Sequence, residues 1–325
     1  MVSLAEQVAV QLQGSEYVSK TNPIRMGNSM SIAYGGCTIA VAVSAANATV
    51  SPKFSPYSIL GHFHGPASTD QKLHCSVEET RNTRSFATRR VTVKQPQPDG
   101  RLRTCVELIT DYHLSEPALL DYSAPPVATW PRPDDCPDVA THVEGLRKRG
   151  VISEAEYKGF SWMIGPNAEL FETRYCLNGV SGQNLSGSAK DAVTSQDVLP
   201  LTSKTSAEWQ RAITKLETPQ EHYTVLAFLM DGGLSLLPLT HNHLWFDDVA
   251  ACSSLDFALR IFTPDVDMNS WHIKERVTSR GGTGRTYSEG RLWDEKGNLV
   301  ASMTQQSIMR PKKGDPSQSA AGVKL

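Results

Sequence analysis

The segment from Leu299 to Arg310 places a polar side chain on an apolar face. Alternate residues of an extended strand share a face, so Gln305 falls on the same side as Ala301 and Met303. A buried amide that is left without partners costs about 1–3 kcal/mol. Gln305 is therefore a candidate for holding a water molecule or another polar group inside the protein.

Asp231 is a carboxylate with the surroundings of a general base. It follows the apolar run 223–230 and precedes Gly232 and Gly233, which are expected to end a helix. A helix C-terminus and an apolar environment both disfavour a negative charge, so both are expected to raise the pKa of Asp231. A raised pKa suits a base that works at neutral pH. Without further information, the same position also fits a surface residue that ends a helix.

Ser254 is a third candidate, since a hydroxyl can both donate and accept hydrogen bonds. Strict alternation groups it with Cys252 and Asp256, away from the apolar face of Leu255 and Phe257. That placement suits a polar site and solvent equally.

His241 and His243, followed by Asp247 and Asp248, resemble a metal-binding cluster only superficially. The histidines are two residues apart in a predicted loop, and no third ligand stands at a reliable spacing. We interpret the segment as a solvated loop and predict no metal site.

The elements that would position these residues occur in the same order in two halves of the chain. Each half has a helix that is apolar nearly all round, predicted at 36–47 and at 223–231, and several strands. Two turns, Gly100-Arg-Leu102 and Gly297-Asn-Leu299, match across the halves at an offset of 197 residues. The predicted strands cover 57–64, 72–79, 85–94 and 102–113 in the first half, and 171–177, 252–262, 271–278, 284–294 and 299–309 in the second.

This repeated order predicts an α+β fold: a tandem or double hotdog, in which each curved antiparallel sheet wraps around one long helix. We assign residues 1–114 to an N-terminal hotdog and 167–311 to a C-terminal hotdog that carries the catalytic site. Residues 115–166, rich in proline and acidic residues, form the connection, and 312–325 a flexible tail.

Composition restricts the range of functions. The 325 residues are 39% hydrophobic and 20% charged, with a net charge of −2, so neither a basic nucleic-acid footprint nor a membrane-spanning segment is expected. The six cysteines form no C-x-x-C pair and are interpreted as free thiols. We expect an intracellular protein, cytoplasmic or peroxisomal, the latter from a weak C-terminal signal, Val323-Lys324-Leu325.

Several motifs together resemble the type II acyl-CoA thioesterases, the family of bacterial TesB. One is Arg84-Ser-Phe-Ala-Thr-Arg-Arg-Val91, which is similar to the family's N-S-F-x-x-R-R-V strand. The others are the hairpin Gly290-Arg-Leu-Trp-Asp-Glu-Lys-Gly-Asn-Leu-Val-Ala-Ser302 and the following Gln305-x-x-x-Met309-Arg310. The resemblance covers most of the chain.

The resemblance implies hydrolysis of acyl-CoA by a water molecule that an aspartate, a hydroxyl residue and a glutamine hold in the second hotdog. Carried over by position, these are Asp231, Ser254 and Gln305. No cofactor is implied, since the CoA thioester is the substrate. Backbone N–H groups near Gly232 or Gly233 would meet the oxyanion.

The resemblance also implies contacts and partners outside the reacting centre. An apolar tunnel between helix and sheet would hold the acyl chain, and hotdog sheet edges allow a homo-oligomer. Arginines suit the phosphates of CoA, although Arg89 and Arg90 point to opposite faces of a strand. The candidates for these phosphate contacts are Arg84, Arg89, Arg90 and Arg285.

Departures from the family pattern leave alternatives open. Gly232 and Gly233 stand where the family has leucine and asparagine, and Phe257 stands for a histidine. A double hotdog that binds acyl or polyketide thioesters without turnover is therefore one alternative. A hotdog enoyl-CoA hydratase is another, because the segment from Asp267 to His272 imitates the D-x-N-P-x-H motif without its proline.

Overall fold

Two buried helices form the centre of the molecule, which a computed structural model describes for residues 3–28, 30–97 and 99–312. They span Gly35–Asn47 and Pro219–Met230, and both are buried over most of their length. Such helices are stable because their small and apolar residues pack on every side. The second helix begins earlier than predicted because Thr218 and Glu221 form a capping box ahead of the apolar run.

The helices, in chain order, are α1 (Leu4–Gln7), α2 (Gly35–Asn47), α3 (Val139–Lys148), α4 (Glu154–Ala168), α5 (Val180–Gln183), α6 (Pro219–Met230) and α7 (Leu237–Thr240). Short 3₁₀ segments cover Pro133–Asp135, Leu185–Gly187, Leu201–Ser203 and Phe246–Asp248. The strands are β1 (Val10–Gln13), β2 (Glu16–Ser19), β3 (Phe54–Phe63), β4 (His74–Asn82), β5 (Phe86–Pro96), β6 (Leu102–Leu114), β7 (Phe171–Tyr175), β8 (Ser206–Ala212), β9 (Val249–Ile261), β10 (His272–Gly282), β11 (Arg285–Asp294) and β12 (Leu299–Pro311).

The strands of the described residues form one antiparallel sheet in the order β1-β2-β4-β5-β6-β3-β9-β12-β11-β10-β8-β7. The two halves of the chain meet where β3 pairs with β9, with Leu60 opposite Ala258. Helices α2 and α6 contact each other and share one apolar core. The fold is the α+β double hotdog that the repeated order of elements predicted.

The two matching turns are the clearest sign of repetition in the structure. Gly100 lies between β5 and β6, and Gly297 lies between β11 and β12. Both have positive φ, +79° and +87°, which glycine adopts without the steric cost that other residues incur. The offset of 197 residues therefore reflects the same hairpin used twice.

The connection is more structured than its composition predicted. It contains α3 and α4, and the apolar side chains of Val143, Leu146, Ile152 and Phe160 contribute to a small core of their own. A capping box, Ser153 with Glu156, marks the start of α4, which continues past residue 166. The bounds given above for the two hotdogs and the connection stay predictions.

The stretch of the connection that precedes α3 lies against the outer face of the sheet at β10. The Glu275 carboxylate accepts hydrogen bonds from the backbone N–H groups of Val127 and Ala128, and from the indole N–H of Trp130. These three bonds satisfy a carboxylate that is almost fully buried.

Strand β8 was not predicted, since it lacks the alternation of a strand that buries one apolar face. Ser206, Glu208 and Gln210 lie on one face and Ala207 and Trp209 on the other, yet all five are buried. The partners of its polar side chains come from distant segments, which no local pattern reveals.

Three further observations bear on the sequence-based expectations. The six cysteines are free thiols. No helix within the described ranges is long and apolar enough to cross a bilayer. Apart from Lys312, the predicted flexible tail lies outside the described residues, as does the Val323-Lys324-Leu325 signal.

Candidate active site

Asp231 and Gln305 meet in the interior of the protein. Helix α6 ends at Met230, and Asp231 is the residue that caps its C-terminus. The Gln305 side-chain amide on β12 donates a hydrogen bond from Nε2 to Asp231 Oδ1 over 2.8 Å. The side chains are 7% and 1% exposed, respectively, so the contact is shielded from bulk water. The alternation of β12 correctly placed Gln305 on the inner face.

The first hotdog also contributes to this contact, which the sequence did not predict. The start of α2 lies close to the Asp231 carboxylate: a Cβ on Gly35 would come within 2.9 Å of its Oδ2, and the N–H of Gly36 favours the ionised form. The neighbouring Tyr34 hydroxyl donates to the carbonyl of Phe228 over 2.9 Å. A Cβ on Gly36 would overlap that carbonyl oxygen, so only glycine allows α2 to approach α6 this closely. The site therefore lies between the two halves.

Burial raises the pKa of Asp231, as the sequence predicted. The hydrogen bond from Gln305, the nearby N–H of Gly36 and the positive charge of Lys274 oppose this effect without cancelling it. Asp231 also faces the N-terminus of α2, whose dipole favours a negative charge. The carboxylate is thus held between effects of opposite sign, which is typical of groups that exchange protons at a site.

Strand β9 contains a β-bulge near Ser254. Gln306 of β12 pairs with Asp256, but the next residue, Ser307, pairs with Ser254. Leu255 is therefore the extra residue of the bulge. Strict alternation fails at this point, and the face assigned to Ser254 from the sequence changes.

Ser254 lies on the inner face because directly opposed residues point to the same side of a sheet. That face also carries Gln305 and Phe257. Strict alternation along β9 had placed Ser254 and Phe257 on opposite faces. Ser254 is half-buried. Within the described part of the chain it makes no hydrogen bond to Asp231 or Gln305. The structure thus joins Asp231 and Gln305 by a hydrogen bond. Ser254 lies on the same wall but is not bonded to either of them in the described residues.

Several buried polar atoms on this wall have no hydrogen-bond partner among the described residues. They are Gln305 Oε1, Ser288 Oγ and Thr286 Oγ1. Ser288 lies directly opposite Gln305 on β11, and Thr286 lies opposite Ser307. Because buried polar groups are normally satisfied, these atoms are suited to bind water or polar atoms of a substrate.

Two cations lie behind Gly232 and Gly233. The Lys274 ammonium group donates to the carbonyls of Leu229 and Gly232, over 3.2 and 3.4 Å. Arg276 packs against Gly233, whose φ is +83° and whose Cβ position, if filled, would overlap the guanidinium group. The glycine pair, a departure from the family pattern, thus makes room for two buried charges.

This arrangement differs from two expectations. The inner wall beside Asp231 carries Lys274 and Arg276, both buried, so it is not the apolar surface that was expected for an acyl tunnel. Of the two backbone N–H groups expected to meet the oxyanion, that of Gly232 donates to the Leu229 carbonyl over 3.1 Å and is already engaged.

The four arginines considered for CoA binding have different surroundings. Arg89 is buried and donates to the hydroxyl and the carbonyl of Thr49, so it fastens β5 to the segment after α2. Arg90 is exposed on the opposite face, as predicted, and pairs with Glu107. Arg84 and Arg285 are exposed.

The segment that imitates the hydratase motif forms a local turn. Asp267 accepts hydrogen bonds from the Ser270 hydroxyl and the Asn269 N–H, over 2.6 and 3.1 Å. The His272 ring is buried, and its Nδ1 lies 3.0 Å from the Ser270 carbonyl. Asp267 and His272 share no direct hydrogen bond in the described segments.

The histidines of the loop after α7 also have separate partners. His241 Nε2 lies 2.9 Å from the Ser206 hydroxyl, and His243 Nε2 lies 2.7 Å from Asp197. Across the described ranges, no group of three or more histidine, cysteine, aspartate or glutamate side chains is arranged to hold a metal ion.

Comparisons with known proteins agree with this architecture. The acyl-CoA thioesterase N-terminal domain matches residues 22–113, and the acyl-CoA thioesterase C-terminal domain matches residues 180–309. A comparison with curated protein sequences finds no match.

Solved structures with the same fold are distant in sequence. Acyl-CoA thioesterase II TesB2 from Mycobacterium marinum superposes with a TM-score of 0.67 at 20% identity, over 96% of this chain and 100% of that one. A tesB protein from Mycobacterium avium subs paratuberculosis gives 0.65 at 17% identity, over 94% and 97%. A hot dog protein of unknown function from Alicyclobacillus acidocaldarius gives 0.66 at 16%, over 94% and 97%.

Proposed function

This chain belongs to the acyl-CoA thioesterase family, and we propose that it hydrolyses acyl-CoA to a carboxylic acid and CoA by means of an activated water. The observation that carries the proposal is the buried contact between Asp231 and Gln305, with Gln305 Oε1 left to accept another hydrogen bond. A water molecule bound there can donate one proton to Gln305 Oε1 and the other to Asp231. Its lone pair is then free to attack.

The proposed reaction uses proton transfer and no covalent enzyme intermediate. Asp231 takes a proton as the water oxygen attacks the thioester carbonyl, which has little resonance protection. The tetrahedral intermediate expels the CoA thiolate, and the protonated Asp231 returns a proton to the sulfur. Ser254, on the same wall, would orient the water or the substrate. We propose that no metal or redox cofactor takes part.

The raised pKa of Asp231 fits this role. A base with a higher pKa accepts the proton of water more readily, provided that it is still ionised at the working pH. The N–H of Gly36 and the amide of Gln305 favour the ionised form, so they act against the effect of burial.

The direct test measures free-thiol release from a panel of acyl-CoA thioesters that differ in chain length and polarity. Release of CoA supports the proposal. Loss of an enoyl-CoA double bond without thiol release would instead indicate a hydratase. Tight binding of acyl-CoA with neither reaction would indicate a protein that binds thioesters without turnover.

Replacing Gln305 with alanine is expected to lower kcat/KM for thiol release by about 10- to 100-fold, because the water loses the group that orients it. The matched control is Gln306→Ala on the adjacent residue, which points to the exposed face of the same strand. Kinetics and thermal unfolding of both variants check this expectation. If Gln305→Ala is as active as the wild type and Gln306→Ala, Gln305 has no role in the reaction.

We further propose that Arg84 and Arg285, which are exposed, contact the phosphates of CoA. A homo-oligomer through the sheet edges and an intracellular location, cytoplasmic or peroxisomal, are proposed from the sequence alone.

A further inference from the structure

Lys274 is a buried cation next to the proposed base. Its side chain is 3% exposed, and it reaches the end of α6 from β10. Its ammonium group bonds to the carbonyls of Leu229 and Gly232, the residues that lie on either side of Met230 and Asp231. The ammonium group also lies 3.4 Å from the Glu208 carboxylate on β8.

The C-terminus of α6 has particular need of a cation. The last carbonyls of a helix have no partners within the helix, and they carry the negative end of its dipole. Asp231 adds a full negative charge at the same end. A buried ammonium group that bonds to the carbonyls of Leu229, in the last turn, and of Gly232, just past it, offsets both the dipole and the carboxylate.

We propose that Lys274 is a positioning residue of this site: its ammonium group anchors the end of α6 and supplies a positive charge that favours the ionised form of Asp231. The consequence of this inference for catalysis rests on the proposed function. Its electrostatic part concerns Asp231 alone and can be measured without any turnover.

The charges around Asp231 come from few groups. Glu208 and Arg276 face Lys274 from β8 and β10, and these two side chains form an ion pair with each other. Burial raises the pKa of Tyr34 well above its ordinary value, and that of Cys37 to about 12, so both stay neutral near pH 7.

His241 and Tyr175, which lie near Arg276, also stay neutral. Burial lowers the pKa of His241 to about 3 and raises that of Tyr175. Glu208, Arg276, Lys274 and Asp231 therefore set the local field, with two charges of each sign.

Lys274 itself titrates in an accessible range. Burial lowers its pKa to about 8, although the Glu208 carboxylate and Asp231 act in the opposite direction. Wild-type Lys274 is therefore charged below about pH 8 and loses its proton above it. Loss of that proton changes the field at Asp231 and should be visible there.

The test follows the carboxyl group of Asp231 by NMR in the full-length chain labelled with ¹³C-aspartate, with Asp231→Asn to assign the signal. In Lys274→Met we expect the titration midpoint of Asp231 to rise by about one pH unit or more, because a nearby cation is removed. The matched control is Lys204→Met, another buried lysine that instead donates to the His241 carbonyl. An unchanged midpoint in Lys274→Met overturns the inference, and so does an equal rise in the control.

A second variant keeps the test decisive if Lys274→Met does not fold. In the wild type, the Asp231 signal should show a second inflection near pH 8, where Lys274 loses its proton. Lys274→Arg should keep the Asp231 midpoint and remove that inflection, because arginine stays charged. An inflection that is missing from the wild type, or unchanged in Lys274→Arg, overturns the inference.

The same variants separate this inference from the proposed function. If the enzyme releases thiol, the acidic limb of its pH–rate profile should move to higher pH in Lys274→Met, together with the NMR midpoint. If the wild type releases no thiol, the proposed function fails, while the NMR shift still decides the role of Lys274.

Discussion

Asp231→Asn is expected to lower thiol release from acyl-CoA by about 10²- to 10⁴-fold, the usual contribution of a positioned general base. Asparagine has nearly the same shape, and its carbonyl oxygen can still accept the hydrogen bond that Gln305 donates over 2.8 Å. The protein should therefore fold normally. What is lost is the ability to take a proton from water, so the reduction should appear in kcat more than in KM.

The control for this substitution is Asp256→Asn on β9. Asp256 lies opposite Gln306, and its carboxylate accepts the Gln306 N–H on the outer face of the sheet. This control should retain nearly full activity. The two variants are compared by steady-state kinetics over a range of pH and by circular dichroism. Full activity of Asp231→Asn would place the base elsewhere.

Gly233→Ala is expected to lower the free energy of unfolding by about 3–5 kcal/mol, because it disturbs a buried ion pair. The new methyl group would overlap the guanidinium group of Arg276, which pairs with the buried Glu208. Arg276 must then move, which separates its buried charge from Glu208 and leaves Glu208 with Lys274 alone. The positive φ of +83° adds a smaller cost. Denaturant unfolding measures the change.

Gly297→Ala separates the two causes. Gly297 has nearly the same φ, +87°, but a Cβ at this position would meet no atom within 4 Å. It should therefore lose only about 1 kcal/mol, which is the cost of the backbone conformation alone. Equal losses in the two variants would mean that Arg276 and Glu208 contribute little to stability.

The sequence revealed those parts of the molecule that follow from local patterns. Helix α2 and the hairpins at Gly100 and Gly297 follow from local composition, and the inner face of β12 follows from alternation. The helices of the connection carry local signals too, such as the capping box of Ser153 and Glu156, but the proline and acidic residues around them obscured these signals.

The parts that the sequence did not reveal depend on segments that are far apart in the chain. The bulge at Leu255, which turns Ser254 inward, is a property of the pairing between β9 and β12. Strand β8 buries the charge of Glu208 because Lys274 and Arg276 lie beside it. Neither partner is close in sequence, so each residue alone reads as a surface residue.

By itself, the sequence determined the double hotdog and the inward direction of Gln305, because turn glycines and alternation act over a few residues. Only the tertiary structure decided that Asp231 lies close to the start of α2 in the first half and to Lys274. The reason is that the pKa of a buried carboxylate depends on charges and dipoles within a few ångströms in space, wherever they lie in the chain.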